Sequence, residues 1–513
     1  MPKVEGPPPP PPPPPPPSGT PTEGGGTYTV RRGDTMTGIA RQHQVPLNDL
    51  IQANPQIQNP DRIFPGQELS IPARQQPAVQ APPVDRFEPS QPNVFGQLVQ
   101  PQLTPVQVDQ NTRASTVADL DQAMTRTGQG MNATERQALE RHLNGLSGPA
   151  LQNETQFLRD HVVNSPNADR AARTYLELRD MQSANPSRIN NDVVHTLTRG
   201  VADRRTDAAA GQEGLMGRQQ AIDAATALTR MPQSEYNRVT QMLNGAGQRG
   251  GSPIPGADAQ TERALILESV AARRDQLSNP PVWDRIRNAV GQPSRAMSDI
   301  QTYADQIRGT PRNELIQNST VLDLNGDAAA EALQQRFSHS CAPTTAQIAR
   351  AEVDPIYARQ LHQEAIHSTA MDTAIGREQR ASLEEHGGVA VARDAAGGRG
   401  VNTALPLNDL AAPYTNRTYT RNELADTPDA RQQALDRADA LLRRGVDVPV
   451  AVAWDGGGGH AQILTDVRGS GNNREYLLTD PYNGETRWLR HQDIVNGHTN
   501  FACGTGRLRA TFE

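Results

Sequence analysis

Gln335-Arg336-Phe337-Ser338-His339-Ser340-Cys341-Ala342-Pro343-Thr344-Thr345-Ala346-Gln347-Ile348-Ala349-Arg350-Ala351 reads as a loop that turns into a helix, with a cysteine at the turn. Pro343 suits a first helical turn, where its missing N–H has no partner to lose. Thr345, Ile348, Ala349 and Glu352 then recur at helical spacing. A thiol at a helix N-terminus feels the positive end of the peptide dipoles, which favours thiolate and lowers its pKa. Thiolate is the nucleophilic form, so a reactive cysteine fits here. The plain alternative is a small residue buried at a helix start, since free cysteine packs well in cores.

Downstream the chain changes to strand chemistry. Asp447 to Trp454 is a β-rich apolar run, followed by a glycine loop from Gly456 to Gly459. His460 to Val467, Glu475 to Thr479 and Thr486 to Leu489 are three more such runs, with Gly469-Ser470-Gly471-Asn472-Asn473 and Asn483-Gly484 in the gaps. Turn residues in each gap predict an antiparallel meander. With helices expected over Ala342–Arg350, Pro355–His367 and Pro428–Arg444, the terminal layout is α+β.

Cys341, His460 and Asp480 therefore stand at the starts and ends of elements. Pairing His460–Val467 with Glu475–Thr479 as a hairpin brings His460 and Asp480 to one end of the sheet. A carboxylate there holds the imidazole in one tautomer, and the imidazole takes the thiol proton. His339 is a rival base but lies on the incoming loop. His491 and His498 follow the last strand and are expected at the surface. Cys503, in Ala-Cys-Gly-Thr-Gly, reads as a packed or turn cysteine. Cys and His do not cluster at zinc-ligand spacing, so neither a metal nor another cofactor is expected.

This ordered set resembles the papain-like cysteine peptidases, most of all the bacteriocin-processing branch that cleaves double-glycine leaders. That family reads a Gln, five residues and Cys; then His before alternating apolar residues; then a strand ending Asp-Pro with Gly shortly after. Here Gln335 stands six before Cys341, followed by His460-Ala-Gln-Ile-Leu-Thr-Asp-Val and by Tyr-Leu-Leu-Thr-Asp480-Pro481-Tyr-Asn-Gly484. The resemblance implies a Cys341–His460–Asp480 triad and a Gln335 side chain that donates to the oxyanion on the attacked carbonyl. Gln334 is the neighbouring alternative. The resemblance covers Asp323 to Ile494, with long insertions around Glu364 to Arg421. It departs from the family at Ser340-Cys341-Ala342, where Asp-Cys-Gly is common.

Nearer the start, Pro7 to Pro17 is polyproline, stiff and extended, followed by a loose Gly/Thr hinge. Tyr28 to Pro72 then reads strand, helix, helix, strand. Its Tyr-Thr-Val-x-x-Gly-Asp-Thr, Ile-x-x-Ala-Asn-Pro and Ile-x-Pro-Gly-Gln-x-Leu-x-Ile-Pro closely resemble the LysM module. That resemblance implies binding of N-acetylglucosamine-containing glycans, peptidoglycan or chitin, in a shallow groove. Its walls would be Gly33, Asp34 and Thr35, and Asn54, Pro55, Gln56 and Ile57, with backbone groups doing much of the binding.

Prolines through Pro105 mark a linker, and the pattern from Ser115 to about Gly309 is helical and polar. Within it Met131-Asn-Ala-Thr-Glu135 with Leu143-Asn144-Gly145 is echoed by Met231-Pro-Gln-Ser-Glu235 with Leu243-Asn244-Gly245. Each reads as a helix from a hydroxyl residue beside Glu to an Asn-Gly stop, the first half of a duplicated hairpin.

The 513 residues include 42 Pro and 42 Gly with only 4% aromatics, which excludes one compact core and predicts a mixed, multi-domain chain. The expected divisions are a polyproline tail over 1–26, a βααβ module over 27–73 and a linker over 74–112. A mainly α-helical region over 113–310 and a papain-like α+β domain over 320–513 follow. The net charge of −7 is spread out and argues against nucleic acid as the main partner. There is no apolar leader after Met1 and no run of about 20 apolar residues to span a membrane. A cytoplasmic protein, or one exported by a leaderless route, is expected. The function expected is a glycan-binding protein with a cysteine peptidase or acyl-transfer activity on a protein or peptide, in the manner of a secreted bacterial toxin. The rivals are a LysM-targeted cell-wall amidase or endopeptidase and a non-catalytic envelope binder.

Overall fold

A computed structural model describes residues 26–30, 36–43, 45, 50–51, 53–54, 56–57, 66–72, 104–202, 215–323, 332–364, 366, 368–393, 395, 397–454, 457–501 and 504–513. The polyproline run, Gly33, Asp34, Thr35, Pro55 and Cys503 lie outside these described residues. The chain divides into two units, Met1–Val99 and Gln100–Glu513.

In the first unit the strand Gly26–Thr29 pairs antiparallel with Glu68–Ile71, Tyr28 opposite Leu69. The helix Met36–His43 places Met36, Ile39 and Ala40 one turn apart, and with Leu50 and Leu69 they close a small apolar core. Asn54 is buried and acts as a brace. Its Nδ2 donates to the carbonyls of Leu50 (2.7 Å) and Ser70 (2.8 Å), and its Oδ1 accepts from Ser70 N at 2.7 Å.

The second unit opens with the helix Pro105–Thr127, which corrects the linker expected through residue 112. Pro105 does not prevent it, because at the first helical position no hydrogen bond is lost and Thr104 forms a capping box with Gln107. The echoed segments are helices Ala133–Asn144 and Gln233–Gly245. Their starts differ from expectation. Asn132, not Thr134, caps the first, and Pro232 precedes the second with no side-chain cap. These helices share one core with those from Gly148 to Gln317, around Leu139, Tyr175, Leu197, Leu265 and Ile300.

The terminal half is a seven-stranded antiparallel sheet. Its order is Thr499–Phe501, Gly504–Phe512, Val448–Trp454, Gly459–Arg468, Glu475–Thr479, Thr486–Arg490, with Arg421–Glu423 pairing Gly504–Phe512. The last four of that order are the expected meander. Gly504–Phe512 lies beside Val448–Trp454 and buries side chains on both faces: Leu508 joins one core with Val450, and beyond a bulge between Leu508 and Ala510 Phe512 joins the other, while Arg507 and Arg509 stay partly exposed. Gly459–Arg468 is covered on both sides. Ile463 joins the core of the cysteine helix Cys341–Ala351, with Ile348 and Ala349. Leu464, pointing the other way, joins Leu435, Ala438 and Leu442 of the helix Pro428–Leu442. His491 corrects the surface assignment: it is buried at the start of a short helix, bonded to Gln432 Oε1 at 2.6 Å and lying against Tyr476. His498 is exposed.

Candidate functional site

Cys341 is the first residue of its helix, and the preceding Ser340 does not cap it. The Ser340 hydroxyl is turned back to the Phe337 carbonyl and to Gln379 Oε1, at 3.2 and 3.0 Å. The thiol is free and half-buried. Burial opposes its ionisation. A hydrogen bond from His460, the charge of that ring, and the backbone N–H groups of Ala461 and Ala342 outweigh burial, so the thiol sits below its ordinary range.

The antiparallel register of Gly459–Arg468 with Glu475–Thr479, Ile463 opposite Thr479, carries Asp480 to the His460 end of the sheet. His460 Nε2 and Asp480 Oδ1 are 2.6 Å apart, both groups buried. With Nε2 engaged by the carboxylate, Nδ1 is the ring nitrogen left for the thiol. Asp480 is itself held: Oδ1 accepts from Tyr482 N at 2.8 Å, and Oδ2 accepts from Gln462 Nε2 at 3.1 Å. The Trp454 ring stacks on His460 with centroids 5.5 Å apart. Gln462 and Trp454 were not singled out from sequence. Strand period supplies a signal for Gln462, since residues two apart share a face with His460; Trp454 had none beyond its place before the glycine loop.

Gln335 is buried and its N–H donates to Pro481 O at 2.7 Å, which ties its loop to the Asp480 turn. Its Nε2 reaches Ser338 O only at 3.5 Å, and its Oε1 has no partner among the described residues. The rival Gln334 is committed: its Oε1 accepts from Arg393 Nη1 at 3.3 Å and its carbonyl from Gln379. His339 is bonded to the Ser338 hydroxyl. His460 is thus joined to Asp480 by a hydrogen bond and acts on the Cys341 thiol, with Gln335 tied to the residue after Asp480. The arrangement suits a thiolate–imidazolium pair. Among the described residues, one group of three ligand-type side chains forms, Glu385, His386 and Asp409; His386 there pairs with Asp409 at 2.7 Å and both carboxylates are exposed.

Of the expected glycan groove, Asn54, Gln56 and Ile57 are described. The Asn54 side chain is spent on bracing, Gln56 is exposed and bonded to Asn54 Oδ1 at 3.0 Å, and Ile57 packs on the small core.

Comparison with known proteins bears on this first unit. Residues 28–72 match the LysM domain, and they form a LysM domain here. The chain is similar to a secreted LysM effector of Passalora fulva, 47% identical over 47 residues, which is 9% of this chain and 21% of that protein. An endolysin of Bacillus phage B103 is 34% identical over 53 residues, 10% of this chain and 20% of the endolysin. A potassium binding protein of Escherichia coli O6:H1 is 40% identical over 57 residues, 10% of this chain and 38% of that protein. The chain therefore spans well under half the length of the curated relatives it matches.

Proposed function

We propose that the LysM domain holds the chain on an N-acetylglucosamine-containing glycan while Cys341 performs acyl transfer on a protein or peptide, as a papain-like cysteine peptidase does. The observation that carries this reading is the 2.6 Å contact of the buried His460 with Asp480, beside a Cys341 thiol at a helix start that His460 holds below its ordinary range. His460 takes the thiol proton, and the thiolate adds to the substrate carbonyl carbon. Gln335 Nε2 donates to the resulting oxyanion. Collapse breaks the C–N bond as His460 protonates the leaving amine, and water or an amine then releases the acyl group from sulfur. Asp480 orients the ring and balances the imidazolium. The likeness of the LysM segment to part of a phage endolysin favours a second substrate reading, peptide cross-links of a cell wall. A secreted toxin or effector role is compatible with both.

The test pairs the full chain with residues 100–513 on insoluble peptidoglycan, and follows release of new amine termini. Recovery with the glycan should depend on the first unit. Cys341→Ala should abolish release and His460→Ala nearly so, whereas Asp480→Asn keeps a trace. Undiminished release by Cys341→Ala, or equal pull-down with and without glycan, sinks the corresponding half of the reading.

A further inference from the structure

The helix Val282–Ala289 carries an apolar face that the rest of the unit leaves uncovered. Val282 is 59% exposed, Trp283 69%, Ile286 48% and Val290, its C-cap, 70%. Successive residues turn by about 100° around a helix, which sets Ala289, Val282, Ile286, Val290 and Trp283 in one sector about 120° wide. The opposite side is the attached one: Asp284 is buried and accepts from Arg295 N at 3.1 Å. Arg287 Nε donates to Pro293 O and Arg238 Nη2 to Gly291 O, fixing the C-terminal end to the body. Arg285 and Arg287 fall on either flank of the apolar sector, the first exposed and the second half-buried.

A convex apolar sector edged by arginines is the form of a helix lying in a bilayer interface, where the rings and aliphatic groups sink and the guanidinium groups reach the headgroups. Trp283 differs from the other two tryptophans. Trp454 covers His460 and Trp488 lies under Arg468, while Trp283 stands in solvent. The charge there is opposite to that of the chain as a whole. Arg285, Arg287 and Arg295 face one acid, Asp284, between residues 281 and 296, in a chain of net charge −7. No helix among the described residues is long and apolar enough to cross a membrane. From this face we propose that Val282–Ala289 docks the protein on a membrane surface containing anionic lipid, seating Trp283, Ile286 and Val290 below the headgroups.

The test is flotation of the full chain with vesicles of phosphatidylcholine alone and with about one-third phosphatidylglycerol added. Binding should be at least ~tenfold stronger to the anionic vesicles, and tryptophan emission should shift to the blue on binding. Trp283→Ser with Ile286→Ser should abolish both effects, and Arg285→Glu should weaken binding, with far-UV circular dichroism and melting temperature unchanged. No binding to either vesicle, equal binding to both, or undiminished binding by the double variant overturns the proposal. So does a dimer in light scattering that the double variant dissolves, because a second copy would then be what covers the face.

Discussion

Asp480 meets three donors with two oxygens, His460 Nε2, Gln462 Nε2 and the Tyr482 N–H, so the imidazole at Cys341 is oriented by a fixed carboxylate. The consequences can be read at single residues. The lowered Cys341 pKa means that thiolate persists as pH falls below the ordinary thiol range. The pH profile of alkylation by a haloacetamide should inflect below that of a free thiol, and His460→Ala should move the inflection upward, because burial then acts with less opposition. An unmoved inflection would show that the helix, and not His460, sets the thiolate. Gln335 separates chemistry from mere reactivity. Alkylation develops no oxyanion, whereas acylation does, and loss of one oxyanion donor costs roughly a hundred- to a thousand-fold in turnover. Gln335→Ala should slow acylation to that degree and leave alkylation nearly unchanged. A parallel fall in both would make Gln335 a support of the loop.

At the scale of elements, the turn from Glu475–Thr479 to Thr486–Arg490 presents Asp480 and receives the Gln335 N–H. Gly484 makes that turn possible. Its φ of +77° is costly for a residue with a side chain, its N–H donates to Asp480 O at 2.9 Å, and an added Cβ would stand 2.6 Å from Ala332 Cβ. Gly484→Ala should therefore destabilise by more than about 1 kcal/mol in urea unfolding. It should also reduce turnover beyond what the loss of folded protein explains, since the turn, Asp480 and Gln335 shift together. A stable variant with wild-type turnover would mean that the turn relaxes without moving Asp480.

Over the whole second unit, the helical and sheet halves are locked by buried charge. Arg273 makes two hydrogen bonds to Asp354, at 2.9 and 3.2 Å with both groups buried, and Arg170 pairs with the buried Asp466 on the strand that carries His460. Backbone bonding adds to this, from Gln219 N to Arg444 O at 2.8 Å. Removing Arg273 leaves the buried Asp354 carboxylate with the longer contact to Arg350, at 3.8 Å. Arg273→Leu should cost about 3–5 kcal/mol, read as a lowered urea midpoint. A loss below about 1 kcal/mol would mean that water reaches Asp354 and that the halves are joined more loosely. For the same reason residues 320–513 expressed alone should be poorly folded, with Asp354 deprived of Arg273 and Asp466 of Arg170.

Local chemistry determined a good deal of this protein. Motif spacing over Tyr28–Pro72 was enough for the LysM domain, alternation and turn residues for the four-strand meander, and Pro343 with helical spacing for a cysteine at a helix start. Those signals act within a few residues, so they survive without knowledge of the rest of the chain. The strand Gly504–Phe512 and its place beside Val448–Trp454 were not read from the sequence, since a bulge between Leu508 and Ala510 breaks its alternation and its partner lies far back in the chain. The Gln462 and Tyr482 bonds to Asp480, the Trp454 cover, the commitment of Gln334 to Arg393 and the burial of His491 join segments far apart in sequence or set by burial. Only tertiary packing decided them, since a side chain's partner depends on what the folded chain brings beside it and what water it excludes.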